Sequence, residues 1–419
     1  MQFFKNFKRY RTRLALLLAV IGPGIVTANV DNDAGGIATY SVAGAHYGNG
    51  LLWMMPLVAI LLIVIQEMSA RLGVITGKGL SALIRESLGV RLSVIILGIL
   101  LFANLANTVS EFAGVAASME IFGVSKFISV PVAAVLVWFI AIKFDYKSVE
   151  RLFLIASAIY ITYVISGIMA KPDWNAVLTA SVSPSFHFDA NYVTLAVTIV
   201  GTTIAPWMQF YQQSSIADKA LKAKDYVYEQ IDVVVGSIFA VLVAAFITIA
   251  CAATLYKANI HIETAQDAAM ALGPLAGEYA KLLFGLGLLN ASVFSASILP
   301  LSTAYVVCEA FGWESGLNNT WKEAPIFFGI YTALIVLGAA IILLPVRSLV
   351  EMMLASQTLN GVLLPVILVV MLRLINDRRL MGKYVNGRFM NIFSWVTVIA
   401  LTGLTTIMIL TTLFPGLFG

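Results

Sequence analysis

Long apolar runs constrain this sequence more than any other feature, because a chain that carries many of them folds only with lipid around it. A helix needs roughly 20 mostly apolar residues to cross a bilayer. About eleven such runs occupy most of the 419 residues. They lie near 13–46, 51–72, 92–118, 125–143, 149–170, 188–215, 227–256, 282–311, 324–345, 347–374 and 391–414. We therefore predict an all-α integral membrane protein with about eleven transmembrane helices, which we number as spans 1 to 11.

The composition argues against a soluble enzyme or a nucleic-acid-binding protein. Sixty per cent of the residues are apolar and only 11% are charged, a balance that a soluble domain of this length neither needs nor tolerates. The spans leave no room for a separate soluble domain. We therefore predict a single polytopic unit over 1–419, without enzymatic activity and without a nucleic-acid partner.

The Lys and Arg residues indicate the orientation, since cytoplasmic loops carry an excess of both. With a cytoplasmic N-terminus and eleven spans, 21 of the 26 Lys and Arg residues fall on the cytoplasmic side. Missing one span would place the basic 373–388 loop outside. We predict that the C-terminus lies outside, and that the protein works as a monomer in a prokaryotic plasma membrane.

Spans 1 and 6 are each interrupted near the middle. Span 1 contains Gly22-Pro23-Gly24 and then the run 30–36, VDNDAGG, while span 6 contains 200–207, VGTTIAPW. Backbone groups that proline and glycine free at membrane depth are tolerated only where they face protein or a water-filled cavity. Because spans 1 and 6 each begin a set of five spans, the paired breaks indicate an inverted-repeat transporter with its site between them.

Two carboxylates, Asp31 and Asp33, lie at the break in span 1. Each costs about 2.5–3.5 kcal/mol at a helix centre by insertion scales. No Lys or Arg lies at comparable depth in any span. A bound or transported cation is therefore a better partner for these carboxylates than a buried salt bridge.

The motifs around these residues resemble those of the Nramp family (natural resistance-associated macrophage proteins) of divalent metal transporters. Gly22-Pro23-Gly24 and 44–48, GAHYG, frame the same interval as the family's Gly-Pro-Gly and Gly-Ala-x-Tyr-Gly, which aligns Asp33 with the family's metal-binding aspartate. Further matches are 71–78 (RLGVITGK), 110–111 (SE), 309–312 (EAFG), 356–357 (SQ) and 377–382 (DRRLMG).

This resemblance implies a LeuT-like fold with two inverted five-helix repeats, broken spans 1 and 6, and one extra C-terminal helix. The repeats would cover 13–170 and 188–374, and the extra helix 391–414. It also implies a transporter without a resident cofactor, whose partners are a divalent metal ion and the lipid bilayer.

Two departures from the family pattern bear on the ion. The family's Asp-Pro-Gly-Asn is DAGG at 33–36 here, so Gly36 replaces the asparagine ligand. The family's Met-Pro-His is Ala205-Pro206-Trp207, so the thioether ligand and the neighbouring histidine are missing. A soft sulfur favours Mn²⁺, Fe²⁺ and Cd²⁺ over the hard ions Mg²⁺ and Ca²⁺. Without it, and with more room, a cation could enter with water still attached, as Mg²⁺ prefers.

These substitutions resemble the Nramp-related magnesium transporter branch, so we predict uptake of partly hydrated Mg²⁺, with Mn²⁺ as a second ion. The predicted ion site consists of Asp33, Asn32, Gly36, Thr202, Ala205, Trp207 and Gln357. Asp33 binds the ion directly or through water, and backbone carbonyls at the two breaks add oxygens. Trp207 shapes the pocket floor, and Gln357 bonds to the hydration shell. Asp31 raises the local negative potential, binds the ion at the vestibule, or faces another helix end.

Proton coupling needs titratable groups inside the membrane, and this chain has fewer of them than the family. The family's Asp-x-x-Glu in span 3 is TVSE at 108–111, so Thr108 replaces the aspartate while Glu111 remains. We predict uncoupled uptake driven by the membrane potential, with residual coupling through Glu111 left open.

Three other functions compete with this interpretation. A proton-coupled Mn²⁺ or Fe²⁺ symporter is disfavoured by the missing methionine. A sodium-coupled organic-solute carrier is disfavoured because two carboxylates at the break would repel a substrate carboxylate. A non-transporting metal sensor would need a signalling domain. The histidines His46, His187 and His261 fall in or beside predicted outer loops, and nothing in their spacing supports a zinc site.

Overall fold

The protein is helical throughout the part of the chain that its computed structural model describes, which is 30–143, 157–186, 189–273, 277–317, 319–345 and 348–414. The Gly22-Pro23-Gly24 motif, the first half of span 1 and His187 lie outside these residues. Each of the eleven predicted spans contains at least one described helix. Eight helical stretches in the described residues are long and apolar enough to cross a membrane.

The helices follow the predicted spans closely. The first predicted repeat contributes α1 (Ala34–Tyr47), α2 (Met54–Thr76), α3 (Leu80–Leu88), α4 (Val90–Glu120), α5 (Lys126–Lys143) and α6 (Ile161–Met169). A connecting helix, α7 (Trp174–Val182), follows. The second predicted repeat contributes α8 (Ala190–Thr203), α9 (Pro206–Asp218), α10 (Tyr226–Cys251), α11 (Ala265–Ala269), α12 (Ala280–Phe311), α13 (Pro325–Leu343) and α14 (Leu349–Ile375). The chain continues through α15 (Arg378–Met381) and α16 (Arg388–Leu413).

Spans 1 and 6 are broken as predicted, and both breaks are short. Val30 is helical, residues 31–33 form a turn, and α1 begins at Ala34. In span 6, residues 204–205 separate the end of α8 from the start of α9 at Pro206. Proline suits the first position of a helix, since its missing N–H would have no intrahelical partner. Each break places helix ends with unpaired backbone groups inside the bundle.

The helices around the breaks pack closely. The first of them, α1, contacts α4, α8, α10 and α14, and α4 packs in turn against α12, α13 and α14. At the contact of α8 with α14, a Cβ added to Gly201 would lie 2.1 Å from the Gln357 carbonyl oxygen, and one added to Gly361 would lie 2.4 Å from that of Val197. Only glycine permits this approach, which is typical of helix pairs in membranes. It brings span 10 against the break in span 6.

Large apolar side chains cover the outside of the bundle. Phe102 on α4 is 63% exposed and Ile399 on α16 is 68% exposed, and α5 and α13 present similar residues. A soluble protein rarely exposes apolar surface on this scale. These helices therefore face lipid, and the chain is an integral membrane protein.

Candidate functional site

Asp33 caps the first helix after the break in span 1. Its backbone is extended, with φ −68° and ψ −174°, and its Oδ1 accepts a hydrogen bond of 2.6 Å from the Gly36 N–H. Aspartate is a preferred N-cap residue, and the helix dipole stabilises a carboxylate there. The side chain is nevertheless buried, with 4% of its residue surface exposed. The local sequence thus holds a carboxylate in place deep inside the bundle.

Gln357 on α14 reaches across to this carboxylate. Its Nε2 donates to both Asp33 oxygens, at 3.3 and 3.2 Å. Its Oε1 accepts a hydrogen bond of 2.9 Å from Asn360 Nδ2. Asn360 and Asn107 on α4 then bond reciprocally, at 3.0 and 3.1 Å. Because Asn360 occupies the oxygen of the Gln357 amide, the amide turns its nitrogen toward Asp33.

Glu111 on α4 lies beside Asp33. Its Oε2 accepts from the Ala34 N–H at 3.3 Å, so two carboxylates share the start of α1. The two carboxyl groups are close enough for a hydrogen bond when one of them carries a proton. Glu111 is fully buried. It is the titratable side chain best placed to exchange a proton with the site.

Thr108 lies one turn before Glu111 but faces away from this group. Its hydroxyl donates to the Asn104 carbonyl oxygen of its own helix at 2.8 Å. Its methyl group packs toward α13, where a Cβ added to Gly338 would lie 2.8 Å from it. Thr108, which replaces the family's aspartate, therefore packs at the contact between α4 and α13.

The break in span 6 contributes Thr202 to the site. A Cβ added to Gly36 would lie 3.2 Å from Thr202 Oγ1 and 3.4 Å from Asp33 Oδ1, so these two oxygens flank the same glycine. The space beside Gly36 is filled by backbone, because the same Cβ would lie only 2.5 Å from the Asp31 carbonyl oxygen. Replacement of the family's asparagine by glycine therefore lets the chain before Asp33 fold against α1.

Ala205 and Trp207 are both buried at the start of α9. The Ala205 carbonyl oxygen accepts from the Met208 N–H at 3.1 Å, and the Gln209 amide, oriented to donate, lies 2.9 Å from it. That predicted oxygen ligand is thus already hydrogen-bonded. The Trp207 ring tilts against Tyr211, with 6.2 Å between ring centroids.

Several buried acceptor oxygens at the two breaks have no hydrogen-bond partner among the described residues. They are Asp31 Oδ1, Asn32 Oδ1 and Thr202 Oγ1. The Asn32 amide nitrogen, in contrast, donates to Ala240 at 3.4 Å. Leaving such a group unpaired costs about 1–3 kcal/mol. A cation, or the water around it, would satisfy these oxygens.

A cavity of about 920 Å³ opens on the face that the Lys and Arg bias places outside. Its walls come from the end of α1, the end of α4, the start of α8, residues 262–265 and the start of α14. We call this cavity the outer vestibule. Thr198 and Thr358, hydrogen-bonded to each other at 2.7 Å, line it. Thr358 follows Gln357 in the sequence, but neither Asp31 nor any residue of the predicted ion site lines the outer vestibule.

Among the described residues, no three His, Cys, Asp or Glu side chains form a metal cluster. Asp33 stays the predicted ion ligand, with Glu111 beside it and neutral oxygens around it. Sequence reasoning missed Asn107, Asn360 and Gln209. The sequence does contain a signal for these residues, because polar side chains inside apolar spans are costly and are kept for function or for contacts between helices.

Two broken helices that meet at a buried carboxylate, below a vestibule open to one face, define the broken-helix class of secondary transporters. Residues 24–411 match the family described as natural resistance-associated macrophage protein-like, Nramp. The chain belongs to the Nramp family.

Individual relatives agree with this assignment. The divalent metal cation transporter MntH of Bacillus subtilis (strain 168) is 26% identical over 414 residues, which cover 94% of this chain and 93% of the relative. The crystal structure of the Eremococcus coleocola manganese transporter, in complex with an aromatic bis-isothiourea substituted compound, is similar with a TM-score of 0.75 and 22% identity, over 95% of this chain and 88% of that one.

The fold extends beyond the family. MhsT in complex with L-phenylalanine has a TM-score of 0.56 at 13% identity, over 93% of this chain and 97% of that chain. These similarities confirm the predicted family and the LeuT-like class with two inverted repeats. They also confirm that the chain is a membrane transport protein of this family and not an enzyme. The exact repeat boundaries at 170 and 188 remain a prediction.

Proposed function

We propose that this protein takes up divalent metal ions, preferring partly hydrated Mg²⁺ and accepting Mn²⁺, by alternating access and without obligatory proton coupling. The observation that carries this proposal is the set of acceptor oxygens near Asp33 that have no hydrogen-bond donor among the described residues. Asp31 Oδ1, Asn32 Oδ1 and Thr202 Oγ1 are all buried in that state. The water molecules of a hydrated Mg²⁺ ion are hydrogen-bond donors, so they would satisfy these oxygens while one carboxylate holds the ion.

The side chains at the breaks support a hard ion. Ala205 offers no sulfur where the family has methionine, and Gln357 presents an amide to the site. Oxygen ligands and water suit Mg²⁺ and Mn²⁺, whereas a thioether favours softer ions. Gln357 would release Asp33 when the ion arrives and turn its donors to other oxygens of the site.

Alternating access is supported by the asymmetry between the two faces. The outer vestibule opens on one face, and its lining includes Thr358, the residue after Gln357. On the other side, α9 is polar but packed, with Gln209, Gln212 and Gln213 fully buried. A helix of this composition lines a water-filled path when its neighbours separate. In the proposed cycle this arrangement is the outward-facing state, and the opposite state would hydrate α9.

A network on the predicted inner face keeps that side closed. Arg71 pairs with Glu67 at 3.1 Å and donates to the Tyr384 carbonyl oxygen at 3.2 Å. Arg71 also bonds to Asn386, and Glu67 accepts from Tyr226. These bonds join α2, α10 and the loop before α16. Opening the inner side would require breaking them.

The membrane potential would drive the proposed uptake. An inside-negative potential acts on a divalent ion with about 4.6 kcal/mol per 100 mV, twice the value for one elementary charge. Inward movement then needs no proton. This direction assumes the predicted orientation, with the N-terminus in the cytoplasm, the C-terminus outside and the single chain in a prokaryotic plasma membrane.

A second candidate function, proton-coupled Mn²⁺ symport, is favoured by the adjacent carboxyl groups of Asp33 and Glu111. Such a pair could pass a proton when the ion binds. Relatives named as manganese and divalent metal transporters agree with that ion. The two candidate functions differ in which ion is preferred and in whether protons enter with the ion.

Flux into proteoliposomes separates these candidates. Vesicles with an inside-negative potential would receive Mg²⁺, Mn²⁺, Ca²⁺ or Cd²⁺ outside, and an ion indicator and a pH indicator inside. We expect Mg²⁺ influx that grows with the potential and leaves lumenal pH unchanged, and we expect Asp33→Asn to abolish it. Strong Cd²⁺ uptake with acidification, lost in Glu111→Gln, would favour the second candidate instead.

A further inference from the structure

Two histidines meet at the rim of the outer vestibule although they lie far apart in the sequence. His46 is in the last turn of α1 and lines the outer vestibule. His261 lies in the segment between α10 and α11. Their rings are perpendicular, with an interplanar angle of 89° and 4.8 Å between centroids. Both residues are exposed, so an ion can reach them.

This spacing fits a shared metal ion. A tetrahedral Zn²⁺ ion with one imidazole nitrogen from each ring at ~2.0 Å places the two ring centroids roughly 5 Å apart. The observed separation of 4.8 Å is close to that value. Imidazole suits Zn²⁺, whereas Mg²⁺ prefers oxygen ligands. The pair would thus select a different ion from the one proposed for Asp33.

The surroundings favour a divalent cation. Among the described residues, the outer vestibule is lined by Glu120, Glu263 and Glu351, against one ammonium group, Lys126. Clefts lined by one sign of charge concentrate the opposite ion. Since no third His, Cys, Asp or Glu of the described residues completes a cluster with the pair, water would fill the remaining positions of the ion.

The pair also joins two walls of the outer vestibule. One wall is α1, which begins at Ala34, directly after Asp33. The other is the segment before α11, held by a capping box in which Thr264 and Asp267 bond reciprocally. A metal ion that bridges the rings would fix the distance between these walls.

We propose that His46 and His261 form a Zn²⁺ site that bridges α1 and the segment before α11 and inhibits transport by preventing closure of the outer vestibule. The site is separate from Asp33. The inhibitory part rests on the proposed transport function, while the binding part does not.

Calorimetry tests the binding part. Zn²⁺ would be titrated into the purified full-length chain carrying Asp33→Asn, which disables the inner site. We expect one Zn²⁺ site, which excess Mg²⁺ does not displace. Adding His261→Ala should weaken Zn²⁺ binding at least ~10-fold, since even loss of an outer-shell partner costs that much. Lys257→Ala, in the same outer segment, is the matched control and should leave binding intact. Equal Zn²⁺ affinity with and without His261 would overturn the site.

Flux tests the inhibitory part. External Zn²⁺ should lower Mg²⁺ influx by the chain with native Asp33, and His261→Ala should transport Mg²⁺ normally while needing at least ~10-fold more Zn²⁺ for half inhibition. Inhibition that is unchanged in His261→Ala would overturn this part. If no Mg²⁺ influx is seen at all while calorimetry still finds the His261-dependent site, the proposed function fails and the zinc site stands. Thermal unfolding in detergent checks that each variant is folded.

Discussion

Replacing Gly36 by alanine tests the closest backbone contact at the break in span 1. The new Cβ would lie 2.5 Å from the Asp31 carbonyl oxygen, whereas ordinary contacts begin at 3.4 Å. The backbone before Asp33 would have to retreat by about 0.9 Å, the difference between these two distances. A close-packed interior does not absorb such a shift freely. Asp33 would move with it, because its carboxylate is bonded to the Gly36 N–H.

The expected cost follows from two opposing effects. Overpacking a filled interior costs about 1–3 kcal/mol. Alanine in place of glycine favours the helix by about 0.5–1 kcal/mol. The midpoints of these ranges, about 2 and about 0.75 kcal/mol, leave a net loss of about 1.3 kcal/mol of unfolding free energy for Gly36→Ala. Because the shift also displaces Asp33, the carboxylate proposed to bind the ion, we expect Mg²⁺ influx to fall about tenfold, equivalent to about 1.4 kcal/mol.

Gly98→Ala is the matched control, because it makes the same chemical change on α4 where no heavy atom lies within 4 Å of the new Cβ. It should keep or slightly raise the apparent melting temperature in detergent. Gly36→Ala should lower that temperature by a few degrees, at about 2 °C per kcal/mol. If both variants melt and transport alike, the Asp31 carbonyl does not lie against Gly36, and the described break is wrong.

Three further changes probe other parts of the site. Ala205→Met should raise Cd²⁺ and Mn²⁺ uptake relative to Mg²⁺ about tenfold in competition flux, since a thioether favours softer ions; an unchanged ion order would contradict the role of this position. Asn360→Leu should raise the KM for Mg²⁺ because it removes the hydrogen bond that holds the Gln357 amide. Loss of such an outer-shell partner typically costs ~10–100-fold. An unaltered KM would show that the hydrogen-bonded amides of Asn360 and Asn107 do not position Gln357. Arg71→Ala should lower the melting temperature more than Lys78→Ala. The side chains of Arg71 and its partner Glu67 are 11% and 14% exposed, whereas those of Lys78 and its partner Glu86 are 47% and 40% exposed, and exposed ion pairs contribute only ~0–1 kcal/mol. Equal shifts in melting temperature would count against the inner network.

Much of the fold could be predicted because lipid imposes a simple rule on the chain. A spanning segment must be apolar along its length and must satisfy its own backbone, so span number and limits are visible in the sequence. The predicted span 8 at 282–311 is α12 at Ala280–Phe311, for example. The breaks were equally visible, since polar residues, glycine and proline in mid-span break the apolar run.

The Asp33 site was predictable in part. Asp33 stood out because a carboxylate in an apolar span is costly. Its partners Gln357 and Glu111 came through resemblance, and Asn107 and Asn360 were not anticipated. Amide pairing between α4 and α14 depends on which faces of two distant helices meet, and no local pattern encodes that.

The sequence by itself determined that this chain crosses a membrane in helices, which two helices break, and which carboxylate lies at the break. Those properties depend on residues close together in the chain and on the cost of polarity in lipid. Only the tertiary structure decided that Gln357 holds Asp33, that Thr108 turns away from the ion site, and that His46 meets His261. Such contacts join residues from separate helices, and the close packing of those helices sets their distances.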